Sequence, residues 1–98
     1  SSTDRLHDLA ALRSELLRAA VARQTQLLNL RPLRPGDRVA AEHYASVRRI
    51  YDDIHAALDR MDAGTYGDCT RCGSRIPPER LRDHAWAARC EPCARRTL

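Results

Sequence analysis

Two pairs of cysteines, Cys69-x2-Cys72 and Cys90-x2-Cys93, stand near the C-terminus with seventeen residues between them. A two-residue gap lets a tight turn aim both sulfurs at one point, and two such hooks complete the four-ligand tetrahedral shell that Zn²⁺ favours. Gly73, directly after Cys72, suits that turn because glycine takes a positive φ without steric cost. A pair of disulfides is the competing reading. The spacing is nevertheless that of metal or redox sites, and no secretory segment precedes it, so one structural Zn²⁺ is expected on Cys69, Cys72, Cys90 and Cys93.

A metal suits the rest of the composition. The chain has 98 residues, three tyrosines, one tryptophan and no phenylalanine, too little to fill a large core. A structural ion is one remedy; a long helix pair whose apolar seam replaces a core is another. No run of about 18 apolar residues occurs, so no membrane span is expected. The seventeen basic residues are all arginine and outweigh thirteen acids, a formal charge of +4. Four thiolates and a divalent ion together carry −2, which lowers the loaded chain to +2, so composition does not demand a nucleic-acid binder.

Along the chain, Ser2 or Thr3 can cap a helix that meets no breaker until about Leu30. Leu6, Leu9, Leu16, Ala20 and Leu27 form one stripe, interrupted at Arg13 and at Arg23 or Gln24. The segment Arg31-Pro-Leu-Arg-Pro-Gly36 stops the helix, since proline lacks an amide donor and disfavours the α region in the residue before it. Asp37 can cap a second helix in which Ala40, Tyr44, Val47, Tyr51, Ile54, Leu58 and Met61 alternate steps of four and three, a heptad seam. Two helices of about 25 residues, each ~37 Å long, should fold back on each other. The expected fold is mostly α: an antiparallel coiled-coil hairpin over residues 1–63, with its tip loop near 31–38, then a four-cysteine zinc module over 64–98.

Within the module, Gly64 can close the second helix in the left-handed region, and Gly67 can turn the chain into the first hook. Tyr66 should pack helix against module. Pro77-Pro78-Glu79-Arg80-Leu81 reads as a helix start, and Ile76, Leu81 and Trp86 are expected to fill the module's interior. Adjacent Asp52 and Asp53 read as a solvated face, because neighbouring residues on a helix point about 100° apart.

Gly64-Thr-Tyr-Gly67, Cys69-x2-Cys72-Gly73, Ile76, Arg80-Leu81 and Cys90-x2-Cys93 occur in an order and spacing that resemble the DksA/TraR family of bacterial zinc-finger proteins. The resemblance is close over the final third and architectural over the hairpin. It implies a non-enzymatic, cytoplasmic transcription modulator that binds bacterial RNA polymerase, passes the hairpin into the secondary channel and alters initiation. The tip departs from the family pattern of two aspartates three residues apart, with alanine two positions later. Arg34 stands at the first acidic position, Asp37 keeps the second, and Val39 replaces the alanine. The resemblance implies that Arg34, Asp37, Arg38 and Val39 are the polymerase-contact tip; with Arg31 included, its charge is +2. Asp37 has a competing role as a plain helix cap. Ala94 follows the last cysteine where ppGpp-binding members carry a basic residue, so the resemblance does not extend to ppGpp dependence. A monomer without a membrane partner is expected.

Two other function classes are weighed against this reading. A nucleic-acid-binding zinc module would use Arg71, Arg75, Arg80, Arg82, Arg89, Arg95 and Arg96, but thiolate charge leaves residues 64–98 at only +1, so direct specific DNA binding is not expected. An enzyme would need an open metal position or a nucleophile near a base; four cysteines close the shell, and His7, His43 and His55 are scattered. His84 between the hooks is an alternative ligand. A thiol-based redox adaptor, losing metal on oxidation, is the remaining alternative.

Overall fold

A computed structural model describes residues 2–95, with side chains from residue 9 onward. The cap expected at Ser2 or Thr3, seam position Leu6, and His7 and Arg96 lie outside the described side chains. Four helices follow one another: α1 (Ser2–Asn29), α2 (Arg38–Ala63), α3 (Pro78–Asp83) and α4 (Glu91–Arg95). Helices α1 and α2 run 28 and 26 residues and pack along each other. Their pairing is antiparallel: Arg13 near the start of α1 meets Asp62 near the end of α2 at 2.9 Å, while Gln26 and His43 meet at 3.4 Å toward the loop. The Cα radius of gyration is 15.4 Å, against ~12.6 Å for a compact chain of this length, and the extents of 52 × 30 × 21 Å describe a rod with a knob.

Local sequence explains the boundaries. Helix α1 contains neither proline nor glycine and is rich in Ala, Leu, Arg and Gln, all strong helix formers. Asp37 caps α2 from extended backbone (φ −83°, ψ 90°), its Oδ1 accepting from the Ala40 amide at 3.0 Å. Gly64 closes α2 at φ 78°, where a β-carbon would be strained, and the Thr65 amide donates to the Arg60 carbonyl at 2.9 Å.

Burial follows the expected seam. On α2, Val47, Ile54 and Leu58 are buried, and Ala40, Tyr44, Tyr51 and Met61 are half-buried. On α1, Leu16, Ala20 and Leu27 are buried, whereas Arg13 leaves the seam for its exposed ion pair. Leu16 and Ile54 are fully enclosed and anchor a cluster with Ala20, Ala57 and Leu58. Each is worth about 1.5–3 kcal/mol of burial.

One expectation changes. Trp86 does not fill the zinc module; with Tyr66 and the buried Ala85 it packs against the Leu16–Ile54 cluster of the hairpin. Among the described residues, the module's own cluster is Cys69, Ile76 and Cys93, with Leu81 and Cys90 against it. Too few apolar side chains lie between the hooks to enclose an indole, whereas the base of the hairpin offers an apolar wall. Tyr66 crosses the same junction, its hydroxyl donating to the Ala85 carbonyl at 2.8 Å.

Candidate metal centre and hairpin tip

The first hook is a short turn closed by backbone bonds. Asp68 and Arg75 form an antiparallel bridge, the Cys69 amide donates to Ser74 at 2.8 Å, and the Gly73 amide returns to Cys69 at 2.9 Å. Gly73 at φ 77° is the residue that lets the chain reverse behind Cys72. The second hook begins α4, where the Ala94 amide donates to Cys90 at 2.9 Å. The Thr70 amide donates to the Ala88 carbonyl at 2.8 Å and ties the first hook to the segment leading into the second, and Arg80 Nε donates from α3 to the Arg89 carbonyl beside the second hook at 2.9 Å.

These turns bring the four sulfurs of Cys69, Cys72, Cys90 and Cys93 within 4.8 Å of one another. The Cys72 and Cys90 sulfurs are 3.7 Å apart, and tetrahedral Zn–S bonds of ~2.3 Å place sulfurs about 3.8 Å apart. The donor set therefore fits Zn²⁺. The protonation chemistry agrees. Backbone amide donation, chiefly from Cys72 and also from Cys90 and Arg71, lowers the Cys69 thiol to about 5. Cys72 is lowered by hydrogen bonding to Ser74. Cys93 is pushed up to about 12, first by its hydrogen bond with Cys90 and then by burial and the other two sulfurs. Such a cluster cannot shed all its protons unless a cation takes up the charge. His84 is not part of the sulfur cluster; its ring stacks over Trp86 with centroids 5.8 Å apart.

At the other end of the rod, the Asp37 amide donates to the Arg34 carbonyl at 3.2 Å, closing a turn with Pro35 second and Gly36 (φ 84°) third, the pattern of a type II turn. Arg34 and Asp37 thus flank the turn, Arg38 opens α2, and Val39 is 79% exposed. All four expected tip residues are exposed at one end of the hairpin. Asp37 serves as the cap, and its Oδ1 is engaged there.

Arg31 is the tip residue whose position the sequence did not foretell. Its Nε and NH2 donate to the Tyr44 hydroxyl at 3.2 and 2.9 Å, and its guanidinium lies 5.7 Å from the Tyr44 ring centre. The hydrogen bond from Arg31 lowers the Tyr44 pKa below the ordinary tyrosine value. Only an arginine three residues beyond Leu28 in the α1 repeat, opposite a tyrosine in the α2 seam, hinted at the pair. In a protein with the other two tyrosines changed to phenylalanine, phenolate absorbance should rise at lower pH than in free tyrosine. Arg31→Gln should move that titration upward; an unmoved curve would show that the bond does not persist in solution.

No family model matches the chain. An uncharacterized protein of Aquifex aeolicus is 45% identical over 42 residues, covering 43% of this chain and 29% of that protein, so the chain spans well under two thirds of that relative. The structure of transcription factor DksA2 from Pseudomonas aeruginosa superimposes with a TM-score of 0.55 at 26% identity, covering 91% of this chain and 76% of that one. With its long helix pair and four-cysteine cluster, the chain is DksA-like in fold and resembles the DksA/TraR family.

Proposed function

We propose that this chain is a non-enzymatic transcription modulator of bacterial RNA polymerase that holds one structural Zn²⁺ and acts in the cytoplasm as a monomer. The hairpin enters the secondary channel, and the tip acts near the catalytic centre. The observation that carries this reading is a long free-ended rod with a knob at its base, a fold similar to that of a known transcription factor, to which this chain adds a four-cysteine cluster in the knob. A rod of this kind suits a deep, narrow opening. Among the described residues, no helix is long and apolar enough to cross a membrane.

The tip chemistry sets what the rod can contact. Arg34 and Arg38 are exposed, and Asp37 has one carboxylate oxygen engaged as a cap. Such a tip favours phosphates and carboxylates over Mg²⁺ or basic loops. Zinc-loaded protein should therefore bind core polymerase at micromolar concentration and change promoter-complex lifetime. Arg34→Asp with Arg38→Asp should change that lifetime by about tenfold or more, a ~1.4 kcal/mol effect, while altering the dissociation constant far less. Absence of binding would sink the reading. An unchanged lifetime with binding intact would move the active element away from the tip.

A further inference from the structure

We propose that one edge of the hairpin, carrying exposed apolar residues of α1 beside a tyrosine–arginine ladder of α2, is a docking face for a carboxylate-rimmed apolar protein surface. On the polymerase reading above, on which this rests, that surface is one wall of the channel that receives the rod.

Two stripes define the face. On α1, Leu17, Val21, Gln24 and Leu28 recur at steps of four, three and four, and three further residues reach Arg31. This repeat lies beside the Leu16–Ala20–Leu27 seam and turns away from the helix interface. Leu17 is 47% exposed, Val21 62% and Leu28 64%. On α2, Tyr44, Arg48, Tyr51 and His55 recur at the same steps. They touch in series: Arg48 lies 5.9 Å from the Tyr51 ring centre, and Tyr51 meets His55 edge-on at 4.5 Å. The stripes share one edge of the rod. Arg31 at the end of the first is bonded to Tyr44 at the start of the second, and Arg13–Asp62 spans the same edge near the base. Gln26 and His43 meet on the opposite edge.

The composition of the face identifies its occupant. Large apolar residues surrounded by polar ones mark a contact surface, and tyrosine and arginine are the residues that concentrate binding energy in protein interfaces. Charge gives the sign. Residues 17–50 hold seven arginines against Asp37 and Glu42, whereas residues 51–63 hold four aspartates against Arg60. The distal rod therefore attracts carboxylates, and the base repels them. Arg48 is now paired with Asp52 at 3.2 Å, an exposed i,i+4 contact of little worth that a partner's carboxylate can replace.

The test uses full-length, zinc-loaded protein and purified core RNA polymerase. The triple variant Leu17→Gln, Val21→Gln, Leu28→Gln should bind at least about tenfold more weakly with unchanged circular dichroism, since all three side chains are exposed. Ala22→Gln with Asn29→Gln, on the far side of α1, should bind as the parent does. A benzophenone side chain should cross-link to polymerase from position 21 and not from position 22. Equal binding by parent and triple variant, or cross-linking from position 22 alone, overturns the face while the polymerase reading stands. A parent that does not bind overturns both. A parent that sediments as a dimer, reduced to monomer by the triple variant, makes the occupant a second copy and overturns the proposal.

Discussion

Chelation of the metal, or Cys93→Ser, should abolish α3, α4 and both hooks while leaving the long helices formed. The physical ground is the small size of the module's own cluster: among the described residues, its members beyond the cysteines are Ile76 and Leu81. Structural zinc supplies about 10–16 kcal/mol of apparent binding free energy in small modules, far more than two aliphatic side chains can replace. Near-ultraviolet circular dichroism should report the loss through Trp86 and Tyr66, which pack at the junction. Acidification should act in the same direction. In the metal-free cluster amide donation holds the Cys69 thiol down to about 5 from an ordinary 9.0, a contribution to stability that is full above 9.0 and lost as pH falls through 5; in the loaded module protons must in addition displace the metal from its thiolates. Metal binding requires all four thiolates, so loading at neutral pH must release the proton that Cys93 holds. Uptake without proton release, or a module that keeps its near-ultraviolet signal in chelator, would contradict this account.

The fold was largely legible because its determinants are local and periodic. The α2 seam from Ala40 to Met61, the Asp37 cap and the left-handed Gly64 each depend on a few neighbouring residues, and the structure realises all three. The cysteine spacing likewise carried its geometry, since two hooks leave the sulfurs few arrangements. Less legible was what crosses between distant segments. Trp86 has no periodic partner, and its place against Leu16 and Ile54 depends on how the knob docks on the rod. The exposed Leu17–Val21–Leu28 stripe is not legible in the sequence, because a helix rich in leucine offers two apolar repeats and the position of α2 decides which one is buried. At the tip, the sequence placed Arg34, Asp37, Arg38 and Val39 together, but the clasp from Arg31 to Tyr44 needed the register between the helices.

Ile54→Ala should destabilise the rod by about 2–5 kcal/mol, and Leu16→Ala by a similar amount, because both side chains are fully enclosed and truncation leaves a cavity as well as losing burial. Against a total of about 5–15 kcal/mol for a natural domain, either change consumes much of the margin, and urea unfolding followed at the helical circular dichroism band should show it. Leu28→Ala is the matched control: at 64% exposure it should shift the midpoint little. The same substitutions reach the metal. Ala85, Trp86 and Tyr66 belong to the cluster that Ile54 and Leu16 anchor, and Thr70 is tied by its amide to Ala88 two residues beyond Trp86. Loosening the base of the hairpin therefore removes the wall against which the segment leading to the second hook is packed. Ile54→Ala should thus release zinc to a chromogenic chelator faster than the parent under conditions where both remain helical, whereas Leu28→Ala should not. Equal release from Ile54→Ala and the parent would mean that the rod and knob respond independently, and that the packing of Trp86 and Ala85 on the hairpin couples nothing.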